Sequence, residues 1–358
     1  MDDALQVVSR PHRVSIVIPV YQGELTLRRL IEEVLPLTSP HRSVSGHLLL
    51  VEEVLLVFDH GPDNSATVIR ELVAEYDVVR PVWLSRNFGQ HAATLAGMAS
   101  SGGEWIVTMD EDGQHDPAAI SSLLDTALRT QSSVVYAQAT NPPPHGFARN
   151  AASRTAKWIV ARALAGQGTS DYQSFRLVLG ETARAVAAYA GSGVYLDVAL
   201  GWIAGGVSTS PVALRDEPER PSGYRLRTLL SHFWRMVLSS GTKGLRVVSI
   251  LGLAFALGGG LLVAYILASS IFFASATASG MRGWTSTMVV VLLSTGAILF
   301  SLGVIAEYIG VSVNMAMGKP AYLITSDPGA GPLGRAQAVP AQQRTPAVTR
   351  RSSIDGQR

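Results

Sequence analysis

Two uncharged apolar runs near the C-terminus constrain this chain more than any other feature. Residues 247–273 carry no charge over 27 residues, and 287–306 carry none over 20. At about 1.5 Å per residue, each can cross roughly 30 Å of hydrocarbon as a helix. Two buried core helices are the competing reading, and these lengths weigh against it. Only Arg282 is charged in the connection, whereas Lys243 and Arg246 precede the pair and Lys319 follows it. The positive-inside rule then puts both termini in the cytosol and the short loop outside. Gly252, Ala256 and Gly260 share one helical stripe, which would let the second helix or another copy of the chain approach closely and so allows a homo-oligomer.

The remainder of the chain is of a different kind. Over 358 residues it is 47% hydrophobic and 16% charged, with mean hydropathy +0.24. That is too apolar for an ordinary soluble enzyme and too polar for a many-span transporter, so a soluble domain joined to a small membrane portion is expected. Absence of cysteine excludes disulfides, thiolate zinc sites and cysteine nucleophiles. A net charge of +2 argues against a general nucleic-acid binder. The first apolar run, Val14 to Val20, is too short for a signal segment, so secretion of the bulk of the chain is not expected. The expected layout is an N-terminal extension (1–13), a catalytic domain (14–214), a basic amphipathic segment (215–246), a two-helix membrane hairpin (247–308) and a C-terminal cytosolic segment (309–358). The last is expected to be disordered from about 326, where Pro, Ala, Gly, Gln and Arg dominate.

Within 14–214, apolar runs bounded by Gly, Pro or Asp alternate with amphipathic stretches. Strands are expected at 14–20, 48–58, 81–85, 104–110 and 133–138, and helices near 24–36, 64–77, 89–101 and 116–130. Such alternation with continuously apolar strands predicts an α/β fold with a mostly parallel sheet covered on both faces. Ligands on such sheets sit at the carboxyl ends of the strands. At those ends stand Tyr21 with Glu24, Asp59-His60-Gly61-Pro62-Asp63-Asn64, Arg86-Asn87-Phe88-Gly89-Gln90-His91, and Asp110-Glu111-Asp112-Gly113-Gln114. Alternate carboxylates at a strand end are hard oxygen donors that suit Mg²⁺ or Mn²⁺ bridging to phosphates. The plain alternative is an acidic turn with Asp116 capping the helix that begins near Pro117. His60, His91 and His115 read as polar rim or packing residues.

Taken in order, SIVIPVYQGE, FDHGPDNS, LSRNFGQHAATLAGM, MDEDGQHDP, SFRL at 174–177 and AEYIG at 306–310 resemble the family-2 glycosyltransferases that load a sugar onto a polyprenyl phosphate. The resemblance runs from about Val14 to Leu323. It implies a GT-A, Rossmann-like catalytic domain followed by two transmembrane helices, and a nucleotide-sugar donor. UDP-glucose is the donor it points to first, with GDP-mannose and UDP-GlcNAc as alternatives. Pro19, Tyr21, Val57 and Asp59 match positions that hold the nucleoside. Asp110, Asp112 and Gln114 match the metal and diphosphate positions, with Glu111 between them on the donor side. Arg149 and Ser153 match an Arg-x-x-x-Ser that receives the acceptor phosphate, and Arg215 and Arg220 are assigned beside it. There are departures: Phe58 and His60 replace an Asp and a Gly, Ala139 stands where relatives often have arginine, and Gly223 replaces a lysine for which Arg215, Arg220 or Arg225 could substitute.

A phosphate monoester acceptor has a second pKa of about 6 and is largely dianionic at pH 7, so it needs no general base. Positioning and charge stabilisation are expected instead: a metal at Asp110 and Asp112 for the leaving diphosphate, and Arg149 with Ser153 for the attacking phosphate. Residues 215–246 hold seven Lys/Arg and three acids, and LRTLLSHFWRMVLSS places apolar residues at helical spacing. That predicts a helix at the lipid headgroups of the inner (plasma) membrane, with the catalytic domain cytoplasmic. Two alternatives stay open. One is a processive polysaccharide synthase, disfavoured by only two spans and no Gln-x-x-Arg-Trp segment. The other is a catalytically silent nucleotide-binding scaffold, motivated by Phe58, Ala139 and Gly223.

Overall fold

Strand β1 (His12–Val20) shows why the chain needs two layers of helix. Its alternation sends Val14, Ile16, Ile18 and Val20 to one face and Val17 to the other, and all five are fully buried. Strand β3 (Leu48–Phe58) does the same, with Val54, Leu56 and Phe58 on the first face and Leu55 and Val57 on the second. A strand buried on both sides requires cover on both. In the computed structural model, which describes residues 10–141, 173–191, 194–215, 282–331 and scattered positions between 252 and 268, that cover is present. Helices α1 (Leu27–Val34), α2 (Ser65–Glu75) and α4 (Ile120–Thr130) pack on the first face. Helices α3 (Gln90–Ser100), α5 (Gly180–Tyr189) and α6 (Leu196–Ile203) pack on the second. Small residues in α3 bring it close to the sheet. A Cβ on Gly97 would lie 2.3 Å from Val17.

The remaining strands are β2 (His41–Arg42), β4 (Val79–Leu84), β5 (Trp105–Thr108), β6 (Val134–Ala139), β7 (Arg176–Leu179), β8 (Val207–Val212) and β9 (Ile324–Thr325). Their order across the sheet is β8-β6-β7-β5-β1-β3-β4-β9, with β2 paired to β3. The block β5-β1-β3-β4 is parallel, as is β6-β8. This is the α/β, Rossmann-like, mostly parallel arrangement expected, and the strands added around the parallel block include antiparallel ones. Strand β7 runs antiparallel between β5 and β6, and β2 and β9 are also antiparallel. The run RLVL buries Arg176 along with Leu177 and Val178, so it shows no alternation that would mark it as a strand.

Past the sheet, α7 (Arg282–Ala316) is a single 35-residue helix, longer at both ends than the apolar run at 287–306. Among the described residues it is the one helix long and apolar enough to cross a membrane, over Ser294–Ala316. Ile298, Leu299, Phe300, Leu302 and Ile305 are exposed along it, which the core helix of a soluble domain would not tolerate. Of the other run, positions 252, 254, 257–261, 264, 265 and 268 are helical and the rest lies outside the described residues, as does 216–246. Helix α7 stops at a Schellman turn. Gly318 takes φ +64°, its N–H bonds to the Met315 carbonyl, and the Lys319 N–H reaches the Asn314 carbonyl at 3.1 Å.

The chain then returns to the sheet, beyond the domain limit of 214 expected from sequence. Strand β9 adds to β4, with Thr325 opposite Trp83 and Ile324 opposite Leu84. Arg70 Nε and Nη2 each donate to Asp327 at 2.7 Å. Nearer the helix end, a Cβ on Gly191 would lie 2.7 Å from the Met315 side chain, so α7 ends against the segment that follows α5.

Candidate active site

The carboxyl ends of β1, β3, β4 and β5 lie side by side because these strands are parallel neighbours, and hydrogen bonds join the loops that follow them. At the tip of β5, residues 110–115 form a tight turn. Gly113 takes φ +79°, and the Gln114 N–H donates to Asp112 Oδ1 at 3.0 Å. Both oxygens of Asp110 are engaged by neutral groups: Gln90 Nε2 donates to one at 2.6 Å and Ser174 Oγ to the other at 2.5 Å. The Asp110 N–H donates to His115 Nδ1 at 3.0 Å. Burial lowers the pKa of His115, which stacks on Phe175 with ring centroids 4.9 Å apart. Neutral, hydrogen-bonded and buried, this imidazole shapes the turn and is the packing residue the sequence led us to expect.

Glu111 faces away from its two neighbours in function. Its carboxylate accepts from the Tyr21 and Gln22 N–H groups, both at 2.9 Å, so it ties the β1–α1 loop to the β5 tip. A Cβ on Gly23 would lie 2.7 Å from the same carboxylate. The middle acid of Asp-Glu-Asp is therefore a clasp between loops. Glu24 and Asn64 make a second clasp, with Asn64 donating through N–H and Nδ2 at 3.1 and 3.0 Å.

The nucleoside positions fall into three environments. Tyr21 is exposed and Pro19 partly so, at the crevice. Val57 is fully buried beneath α3, so only its backbone reaches the rim. Asp59 is 3% exposed and accepts from the Phe88 and Gly89 N–H groups at 2.7 and 2.8 Å. Burial pushes its carboxyl up, against the opposing effect of those two donors. Asp59 thus ties the β3 tip to the loop that starts α3. Next to it, His60 has φ +52°, the left-handed region where glycine is free of steric cost. His60 stands where the resemblance leads one to expect a glycine, and it takes a backbone conformation that a glycine adopts freely. Gly61 is under a harder constraint, since a Cβ there would lie 1.5 Å from the Tyr21 carbonyl oxygen. His60→Gly is expected to stabilise the fold by about 1 kcal/mol, read as a rise in thermal unfolding temperature of about 2–4 °C.

Arg215 is brought beside the β5 tip, where its N–H donates to the Gln114 carbonyl at 3.0 Å. Its guanidinium pairs with Glu33 and, at 3.0 Å, with Asp116. Asp116 also accepts from the Ala118 N–H, the helix cap expected from sequence. Two carboxylates thus compete with any phosphate for Arg215. Arg149, Ser153, Arg220 and Arg225 lie outside the described residues.

Sequence reasoning missed the support beneath Asp110. Arg176 is buried and paired to Asp197, and its Nε donates to Thr108 Oγ1 at 3.0 Å. Thr108 Oγ1 donates to the Ser174 carbonyl at 2.6 Å, and Tyr136 Oη to Asp197 at 3.0 Å. Burial alone would lower the Arg176 pKa; the charge of Asp197 and the Tyr136 hydroxyl outweigh it and keep the guanidinium charged. SFRL marked this strand as a motif but gave no sign that Ser174 meets Asp110. Among the described residues, no group of three or more His, Cys, Asp or Glu converges in the manner of a complete metal cage.

Residues 15–180 match the family described as Glycosyl transferase family 2. The undecaprenyl-phosphate 4-deoxy-4-formamido-L-arabinose transferase of Yersinia enterocolitica is 28% identical over 322 residues, covering 89% of this chain and 94% of its own. That of Proteus mirabilis is 27% identical over 317 residues, covering 87% and 93%. Among solved structures, glucosyl-3-phosphoglycerate synthase from Mycobacterium tuberculosis is similar at TM-score 0.44 and 17% identity, over 65% of this chain and 80% of that one.

Proposed function

We propose that this chain, whose residues 15–180 match the glycosyl transferase family 2, transfers a sugar from a nucleotide-sugar donor to the phosphate of a membrane polyprenyl phosphate, with inversion. One observation carries the acceptor. Likeness to the undecaprenyl-phosphate transferases extends over 87–89% of the chain, well past the catalytic domain and through the apolar helix.

The β5 tip suits a divalent ion in part. Asp110 and Asp112 are hard oxygen donors, and Asp110 is steadied by neutral groups that leave its charge uncancelled. Asp110, Asp112 and Gln114 would hold Mg²⁺ or Mn²⁺, with donor phosphates completing the shell. The ion supplies Lewis-acid stabilisation of the departing diphosphate. The chain's own residues do the rest. Asp59, Tyr21 and Pro19 border the nucleoside end of the crevice, and the Glu111 clasp keeps the loop bearing Tyr21 against the β5 tip. Arg149 and Ser153 receive the acceptor phosphate. One of its oxygens bonds to the anomeric carbon as the bond to the nucleoside diphosphate breaks, and no proton need move because the acceptor is already a dianion.

Topology supports the two-span reading. Strands β1 to β8 and strand β9 share one sheet, so they occupy one side of any membrane that α7 crosses. A chain that returns to its starting side crosses an even number of times. The second crossing then falls within 216–281, where 247–273 is uncharged. With basic residues flanking the pair, the catalytic domain and both termini would be cytoplasmic at the plasma membrane.

The test is full-length protein with Mg²⁺ or Mn²⁺, undecaprenyl phosphate and a panel of labelled nucleotide sugars that includes UDP-glucose, GDP-mannose and UDP-GlcNAc. The expected product is one sugar on an organic-extractable lipid. A polymer would favour a processive synthase, and nucleotide binding without product would favour a silent scaffold.

A further inference from the structure

Two separate routes of contact lead from the segment after α7 to the turn at the end of β3. The first runs along backbone. Strand β9 pairs with the end of β4, and the Ser85 N–H donates to the Leu323 carbonyl at 2.9 Å. Tyr322, partly buried, packs on the core face that also holds Leu84 and Phe88. Ser85 opens the loop whose Phe88 and Gly89 N–H groups both donate to Asp59. The second runs through side chains. Asp327 accepts two bonds from Arg70, whose guanidinium lies 5.2 Å over the Trp83 ring. Trp83 meets Phe58 edge-on with centroids 5.5 Å apart, and Phe58 lies 5.5 Å from His60. Both routes end at Asp59-His60.

We propose that residues 322–327 are a positioning strap for that turn, so that nucleotide binding depends on the segment leaving the membrane helix. The inference rests on the donor reading given above. Its physical basis is over-determination. A forked arginine–carboxylate pair fixes orientation as well as distance, and the Gly329 N–H holds the same carboxylate at 2.8 Å. The added strand satisfies the edge of β4, whose N–H and C=O groups would otherwise be open to water. The strap thereby steadies the loop that supplies both donors to Asp59. It also gives Phe58 a role: an aromatic link to Trp83 where related sequences have an aspartate.

The experiment uses full-length protein in lipid nanodiscs and measures binding of UDP and GDP by calorimetry, with thermal unfolding and the polyprenyl-phosphate KM measured in parallel. Asp327→Asn, Asp327→Ala and Arg70→Ala are compared with the exchanged pair Arg70→Asp/Asp327→Arg. Asp327→Asn keeps size and removes charge, and serves if Arg70→Ala does not fold. The expected result is a nucleotide Kd raised about ten-fold in the single variants, an acceptor KM changed less than two-fold, and recovery of most of the loss in the exchanged pair. Lowered unfolding temperature with an unchanged nucleotide Kd would reduce the strap to a stability element and overturn the proposal. Wild-type protein that binds neither nucleotide would overturn the donor reading and this inference with it, whereas binding by wild type and variants alike would overturn this inference alone.

Discussion

Asp112→Asn is expected to abolish sugar transfer, by 10³-fold or more, on the order of the several kcal/mol a metal Lewis acid supplies, while the protein still folds. The substitution keeps a contact that shapes the turn. Asp112 Oδ1 accepts the Gln114 N–H inside the turn, and an asparagine carbonyl oxygen can accept the same bond. What is lost is one negative charge at the position assigned to the ion and the diphosphate. Asp110→Asn is a poorer test. Its amide would present a donor to Gln90 Nε2 or Ser174 Oγ, which now donate to the two carboxylate oxygens. The measurement is transfer to undecaprenyl phosphate beside thermal unfolding of the same preparation. Unchanged transfer rejects the metal assignment, and lost transfer with lost folding leaves the turn, not the ion, as the cause.

The contrast among Asp110, Glu111 and Asp112 shows where a sequence stops being legible. Three acids in a row at a strand end announce a carboxylate-rich turn, and that turn is there. Which carboxylate faces the crevice depends on the loop opposite, 90 residues earlier, and Glu111 is taken by the Tyr21 and Gln22 N–H groups. Strands β1 and β3 were legible because both alternating faces are apolar, and the limits of β3 match those expected. Strand β9 was not, because two residues cannot show a period, and its pairing depends on β4, some 240 positions away. Strand β7 was hidden for a third reason. A buried arginine breaks the apolar pattern, and its partner Asp197 sits on a helix that only the fold brings near. Asp59 was found by resemblance, but not its hydrogen bonds to the loop before α3.

The same buried pair carries the largest stability effect. Arg176→Met is expected to destabilise the protein by about 3–5 kcal/mol, because removing one partner leaves an uncompensated charge in the core. Arg176 and Asp197 are each 3% exposed, and Tyr136 is the other side chain bonded to the carboxylate. The loss has a predictable dependence on pH. Burial already acts to raise the Asp197 carboxyl, and among the described residues Arg176 is the cation that opposes it. A carboxyl whose folded pKa lies above its unfolded value favours the fold below the unfolded value, near pH 4, and loses that advantage as pH rises through the folded one. Because burial places the wild-type Asp197 carboxyl above its ordinary value, the deficit of Arg176→Met relative to wild type should grow as pH rises through the wild-type folded pKa toward the higher one of the variant. Arg176→Met/Asp197→Leu, which removes both charges, should recover most of the stability and flatten the curve. Transfer should recover less than stability does. Arg176 Nε also holds Thr108, whose hydroxyl holds the Ser174 carbonyl, and Ser174 holds Asp110. Denaturant unfolding at several pH values, set beside kcat for the same three proteins, separates the two effects. Equal recovery of both would mean that this chain of contacts does not reach the β5 tip.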